Sequence, residues 1–149
     1  MGEFIFKIAE TARELEEYFR LRNEVFVQEQ KIFPETDVDQ YDRDAVHIVA
    51  IDKSTGKVVG VVRCYKKEED SWFGGRLGAA PAYRNGQVGS SLVRLAVKTA
   101  KSNGCKKFLA YIQPQNVKFF ERLDWKTVGE PVIYQGLSHQ LMEADLDSG

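Results

Sequence analysis

In the stretch PAYRNGQVGSSLVRLAVKTAKSNG (residues 81–104), a cluster of Pro, Tyr, Arg, Asn and Gly runs into a helical apolar pattern with almost no spacer. Asn85 or Ser90 could cap such a helix, yet Gly86 and Gly89 are more glycine than a cap requires. The chemistry that uses this arrangement is phosphate binding. A helix that follows a strand through a glycine-containing loop presents unpaired N–H groups and the positive end of its dipole, and a missing Cβ lets a phosphate approach the backbone. Two common motifs of this kind are absent: no Gly-Lys-Ser/Thr ends the loop, and no Gly-x-Gly-x-x-Gly follows the first predicted strand. Among the other reactive side chains, His47 lies in an apolar strand pattern and His139 near the end of the chain. A lone histidine is by default a packing residue. Cys64 and Cys105 are far apart, lack metal-ligand spacing and read as buried thiols, so no metal site is expected.

Hydrophobic periodicity supplies the elements that must hold this loop. Phe4, Phe6 and Ile8 alternate as a first strand. Thr11 and Glu14 form the Thr-x-x-Glu capping box that opens a helix over about residues 11–28. EQKIFPETDVDQYDRDA comes next, turn-rich and acidic. VHIVAID and KVVGVVRCYK flank Ser54-Thr55-Gly56, and their nearly continuous β-branched runs predict a hairpin buried on both faces. SWFGGRLGAA is the fourth predicted strand. The next helix carries Val88, Leu92, Leu95, Ala96 and Ala100 on one face and Arg94, Lys98 and Lys101 on the other, with Asn103-Gly104 as its C-cap. KKFLAYI is a fifth strand, NVKFFERL a short helix, and PVIYQGLSHQLMEADL two strands around Gly136 and Leu137. The order β α β β β α β α β β makes an α/β sheet in a single domain over residues 1–149, without linkers or repeats.

Composition excludes several function classes. A chain of 149 residues buries roughly two thirds of its unfolded surface around one core. Hydrophobic content of 43% with 29% charged residues is that of a soluble protein. No signal-peptide or membrane-span pattern is present, so a cytoplasmic protein without a membrane partner is expected. The formal net charge of -1 lacks the electrostatic footprint of a nucleic-acid binder.

Three stretches carry a resemblance. YRNGQVGSSLVRLAV resembles the acyl-CoA signature of the GNAT acyltransferase superfamily, Gln/Arg-x-x-Gly-x-Gly/Ala, with Arg84 at its first position and Gly89 at its last. Gln87 stands where the pattern has its middle glycine, and Gly86 lies one position early. RLGAAPAYR is similar to the fourth strand of that superfamily and its exit. QPQNVKFFERLDW is similar to the later motif Asn-x-x-Ala-x-x-Phe-Tyr-x-x-x-Gly-Phe. There Gln113 falls on the Asn, Asn116 on the Ala, Phe119 on the Phe, Phe120 on the Tyr, Asp124 on the Gly and Trp125 on the final Phe. At the other end, LRNEVFVQEQKIFPETDVDQYD resembles a branch with Arg-x-x-Val-Phe-Val-x-Glu-Gln followed by Glu-x-Asp, and GLSHQLM resembles its Gly-Ile-Pro-His-x-x-Met ending. VFVQEQ is also similar to acyl-homoserine lactone synthases, which share the fold and are generally longer.

The resemblance implies an α/β GNAT-like fold: a mixed sheet of about seven strands flanked by helices, with a splayed acyl-CoA cleft between strands four and five. It implies transfer of an acetyl or other acyl group from acetyl-CoA to the amino group of a small molecule by direct attack. The alternatives are a non-catalytic acyl-CoA sensor domain and an acyl-homoserine lactone synthase-like enzyme. Donor contacts are implied at the main chain of Leu77 and Ala79, in the loop Arg84, Asn85, Gly86, Gln87, Val88, Gly89 and Ser90, and at Gln113 and Asn116. Arg22, Glu35 and Asp37 fall where the acceptor enters. Glu29 is the implied base, with a salt bridge to Arg22 as the competing reading. Phe120 has no proton to give, which leaves His139, Tyr134 or solvent as the acid. Glu29, Glu35, Asp37, Asp39, Asp42 and Asp44 face only Lys31 and Arg43 in their segment, and this predicts an entrance that concentrates cationic amines. The resemblance leaves room for a homodimer.

Overall fold

The computed structural model describes residues 3–84 and 86–147. Strands β1 (Phe4–Ile8), β2 (Val46–Asp52), β3 (Val58–Lys66) and β4 (Ser71–Ala79) succeed one another as an antiparallel meander. The fifth, β5 (Lys107–Ile112), joins β4 in parallel. β8 (Leu137–Ala144) lies between β5 and β6 (Trp125–Thr127), and β7 (Val132–Tyr134) forms a hairpin with β8. That hairpin turns at Gln135 and Gly136, both left-handed (φ 50° and 74°), the conformation that matches strand twist in a two-residue turn. β6 is not among the strands expected from periodicity, because three residues are too few to show an alternation.

Helix α1 (Ala12–Arg22) opens on the expected capping box: Glu14 N–H donates to Thr11 Oγ1 (3.1 Å) and Thr11 N–H to Glu14 Oε1 (3.2 Å). Beyond Arg22 the helix runs on, but in π geometry, from Asn23 to Glu29. Helix α2 (Val88–Ser102) ends on Asn103, with left-handed Gly104 (φ 87°) after it. A short helix, α3 (Val117–Glu121), lies beyond β5.

The meander is buried on both sides, which explains its unbroken apolar sequence. Val49 and Val61 point toward α1 and pack with Tyr18, Leu21, Val25 and Phe26. Their neighbours Ile48, Ala50, Val62 and Cys64 point the other way, into a larger core with Leu92, Ala96 and Phe108. α2 comes so close to β3 that a Cβ on Gly60 would lie 2.6 Å from Val88 Cγ1, so this position needs glycine. Cys64 and Cys105 are buried free thiols, and burial pushes Cys64 up to about 12. Among the described residues, no helix is long and apolar enough to cross a membrane.

The feature that matters for function is where the sheet parts. β4 and β5 pair only through Ser71–Lys107, Trp72–Phe108 and Phe73–Leu109. Past Phe73, β4 stays with β3, through a register shift between Val61 and Arg63 and a left-handed Arg76 (φ 55°). A bulge of this kind bends a strand and increases its twist. It carries β4 away from β5 and opens a wedge.

Candidate active site

The wedge is a cleft of about 290 Å³. Gly74 to Leu77 of β4 form one wall, Ile112, Gln113, Asn116 and Phe120 the other, and Tyr134 and His139 close one end. Leu77, Gln113, Asn116, Tyr134 and His139 thus come together from four parts of the sequence.

One face of the cleft is aromatic. Tyr41, Tyr65, Phe73, Tyr111 and Tyr134 stand in a row, each roughly parallel to the next, with centroid spacings of 4.4, 6.4, 5.9 and 5.9 Å. His139 ends the row edge-on to Tyr134, at 5.3 Å and 90°. Nδ1 of His139 is 2.9 Å from the Leu137 carbonyl. A carbonyl only accepts, so Nδ1 carries the proton and the lone pair is on Nε2. The residue is 4% exposed.

An ion-pair network forms another part of the cleft wall. Arg22, fully buried, donates from Nε to Asp37 (2.6 Å) and from Nη1 and Nη2 to Asp42 (2.6 and 3.0 Å). Arg63 forks onto Asp39 (2.7 and 2.8 Å), and Arg76 donates to the Asp37 carbonyl (2.6 Å) and to Asp39 (3.2 Å). Three guanidiniums meet three carboxylates. Burial works against the charge on Asp42, but hydrogen bonds from Arg22 and the Asp39 N–H outweigh it and hold the carboxyl well below the usual range. Asp39 is shifted the same way, its burial outweighed by Arg63. His47 braces the network: Nε2–H donates to the Asp42 carbonyl (3.0 Å), so Nδ1 accepts from Tyr18 Oη (2.8 Å). Burial lowers its pKa and favours the neutral ring.

α2 starts with no side-chain cap. The first helical hydrogen bond runs from Ser91 N–H to the Gln87 carbonyl (2.9 Å), which leaves the N–H groups of Val88, Gly89 and Ser90 without helical partners. Ser90 does not cap the helix; its hydroxyl donates back to the Gln87 carbonyl (3.2 Å). Asn85 lies outside the described residues. Arg84 Nε donates to the Ala79 carbonyl (2.9 Å), and its two terminal nitrogens take both oxygens of Glu29 (2.5 and 2.6 Å).

A sequence model described as the acetyltransferase (GNAT) family matches residues 10–125. The chain belongs to this family. It is 28% identical over 139 residues to the uncharacterized N-acetyltransferase YjcF of Bacillus subtilis (strain 168), covering 93% of this chain and 97% of that one. Its fold matches an acyl-CoA N-acyltransferase from Pseudomonas aeruginosa with a TM-score of 0.81 at 24% identity, over 97% of this chain and 100% of the other. Escherichia coli ElaA matches with a TM-score of 0.81 at 23% identity, over the same shares. This is a GNAT acyl-CoA N-acyltransferase by family, and GNAT enzymes take acyl-CoA donors.

Several GNAT positions carry a visible physical logic. Asp124, at the motif's glycine, is left-handed (φ 68°), a conformation that Asp tolerates better than most residues. Phe120, at the motif's tyrosine, is wedged edge-on between Phe119 (5.3 Å) and Trp125 (5.2 Å) and has no hydroxyl to offer the cleft. Val88 is buried, so only its backbone can meet a phosphate. Gly86, Gln87 and Val88 also border a second hollow of about 370 Å³ toward Phe4 and Tyr83.

The expected acceptor residues need correction. Arg22 and Asp37 are 0% and 2% exposed and are consumed by each other and by their neighbours, while exposed Glu35 lies outside the cleft lining. Glu29 pairs with Arg84 instead of Arg22, and the hydrogen bonds from Arg84 lower its pKa, which makes it a weaker base. The acidic entrance is corrected too: Asp37, Asp39 and Asp42 each face a guanidinium supplied by α1, β3 or β4. The aromatic row is hidden in the linear sequence because each ring sits on a different element. The period of two in β3, which puts Arg63 and Tyr65 on one face, is the signal that could have found it.

The Glu29–Arg84 pair yields an expected result. In the free protein Glu29 holds the guanidinium that the loop would offer to an anion. Glu29→Gln should tighten CoA binding about threefold, the scale of an exposed ion pair. Calorimetric titration with CoA checks this, and weaker binding would mean that Glu29 supports the loop instead of competing for it.

Proposed function

We propose that this protein transfers an acetyl group from acetyl-CoA to the primary amine of a small molecule by direct attack in the β4–β5 wedge, with His139 as the proton acceptor. The observation that carries this reading is a parted strand edge that shares its cleft with an imidazole whose Nε2 holds the lone pair, and the N–H groups without helical partners at the start of α2 support it. Those N–H groups fit a pyrophosphate, since each is a donor at the positive end of a fifteen-residue helix. Bound acyl-CoA supplies a thioester, whose carbonyl is open to attack.

Leu77 lines the wedge where the pantetheine arm would lie, with Ala79 two residues further along β4, and Gln113 and Asn116 face it from the β5 side. The loop of Arg84, Gly86, Gln87, Val88, Gly89 and Ser90, with Asn85, receives the pyrophosphate. An amine of pKa about 10 is almost fully protonated at neutral pH and must lose a proton before it attacks. His139 Nε2 accepts it, and the Leu137 carbonyl fixes the tautomer that allows this. Tyr134 packs edge-on and holds the imidazole plane. A main-chain N–H on β4 polarises the carbonyl under attack. With Phe120 in place of the usual tyrosine, sulfur departs as a thiolate, which a thiol of pKa near 8.5 permits.

The test is release of free thiol from acetyl-CoA with a panel of amines, in the parent protein and in His139→Gln. Loss of a general base costs about a hundredfold or more in turnover. The expected result is a drop in kcat of that size with an unchanged KM for acetyl-CoA. Unchanged turnover would remove His139 from the mechanism, and no thiol release with any amine would remove the transfer reading itself.

A further inference from the structure

The lining of the cleft has a definite chemical character. The five-ring row spans β3, β4, β5 and β7 along with Tyr41 of the preceding loop, and all five rings line the cleft. The rings are nearly parallel to one another, and together they make this wall of the cleft an aromatic surface. Aromatic rings prefer offset-stacked or edge-to-face contact with another ring. Phe26 and Phe33 border the same space from the α1 side.

The charges point the same way. Among the charged side chains lining the cleft, one carboxylate, Asp39, stands against Arg63, Arg76 and Lys67. Both oxygens of Asp39 are engaged by Arg63. Lys67 Nζ sits 4.6 Å from the Phe73 ring centroid and makes no ion pair among the described residues. A polyamine would meet a lining with no free anion. A flat ring would meet other rings, and an acidic group at its far end would meet Lys67.

We propose that the acyl acceptor is an arylalkylamine, a primary amine carried on an aromatic ring that is uncharged or acidic at the end remote from the nitrogen. This rests on the transfer reading above and names its acceptor. The ammonium loses one proton to His139 Nε2 and on to solvent. As the new N–C bond forms and the C–S bond breaks, the nitrogen's second departing proton ends on the CoA sulfur, leaving an N-acetyl arylalkylamine and free CoA thiol. Tyr111, 39% exposed at the rim, is a specificity residue whose ring can be removed without opening the core.

The experiment compares thiol release from acetyl-CoA with tyramine, 4-(2-aminoethyl)benzoate, hexylamine and spermidine. The expected result is a kcat/KM for both aromatic amines at least about tenfold above the two aliphatic ones, the scale of a well-formed set of ring contacts. Tyr111→Ala should raise KM for both aromatic amines about fivefold with KM for acetyl-CoA unchanged. Lys67→Met should erase any advantage of the benzoate over tyramine. Equal or better use of hexylamine or spermidine overturns the aromatic acceptor and leaves acyl transfer standing. If no amine releases thiol while acetyl-CoA still raises the melting temperature, transfer itself fails, and saturation-transfer NMR decides the pocket. Saturable tyramine binding that weakens in Tyr111→Ala supports an aromatic site, and binding that is absent or equal in both proteins overturns it.

Discussion

Asp42→Ala should melt about 6–20 °C below the parent protein. The side chain is buried between Arg22 and Arg63, and truncating it leaves two guanidiniums in the interior with an excess of positive charge. Removing one partner of a buried ion pair costs about 3–5 kcal/mol, and each kcal/mol moves the melting temperature of a domain this size about 2–4 °C. Asp44→Ala, on the exposed end of the same segment, is the control and should change it little. The pH dependence has its origin in the same group. The Asp42 carboxyl is held below its unfolded value, so it contributes stability that is complete above about pH 4 and is lost as pH falls through the depressed folded value. Asp39 acts in the same direction. The parent should therefore lose stability steeply below about pH 4, and Asp42→Ala should show a shallower acid limb. Melts within 2 °C of each other at neutral pH would show that the network relaxes around the loss, against the roughly 6 °C minimum expected.

Gly89→Glu should abolish the response to CoA while leaving the free protein folded. A ligand that binds only the native state adds about 2.7 kcal/mol at a hundred times its dissociation constant, or roughly 5–10 °C here. Gly89 is the second residue of α2, and a Cβ there would meet only Phe119 Cζ, at an ordinary 3.5 Å. A carboxylate in the first turn also favours the helix dipole, so the substitution carries its own stabilisation. It puts that charge where a phosphate would bind. Affinity for CoA should fall about a thousandfold, and a scan at millimolar CoA should show no shift. Gly89→Ala should keep most of the response, and a Gly89→Glu protein that still responds would place the pyrophosphate elsewhere.

Most of the fold was legible because it rests on local signals. The capping box at Thr11, the two-sided apolar runs of β2 and β3 and the glycine after α2 each state their structure within a few residues. The loop and the uncapped helix start on which the donor reading rests were legible for the same reason. The wall of rings and ion pairs was not. Its charges look like a surplus when counted along residues 29–44, and they balance only when Arg63 and Arg76 arrive from β3 and β4, 24 and 39 positions from their partners. Its rings come from five places. A linear reading sees residue types and periods, whereas this pocket is defined by register between strands.

The π-helical stretch from Asn23 to Glu29 bears on how such a chain can change its length. A π turn holds one residue more than an α turn, so a single deletion inside it can restore α geometry and leave the chain on either side in nearly its present orientation. Glu29 and Gln30 stand at the far end of this stretch, and they reach Arg84 and Gln113 on opposite lips of the cleft. The larger core, on the other side of the sheet, takes no residue from it. A change of one residue here is therefore absorbed inside the turn itself, beside the mouth of the pocket, and leaves the β4–β5 wedge as it is.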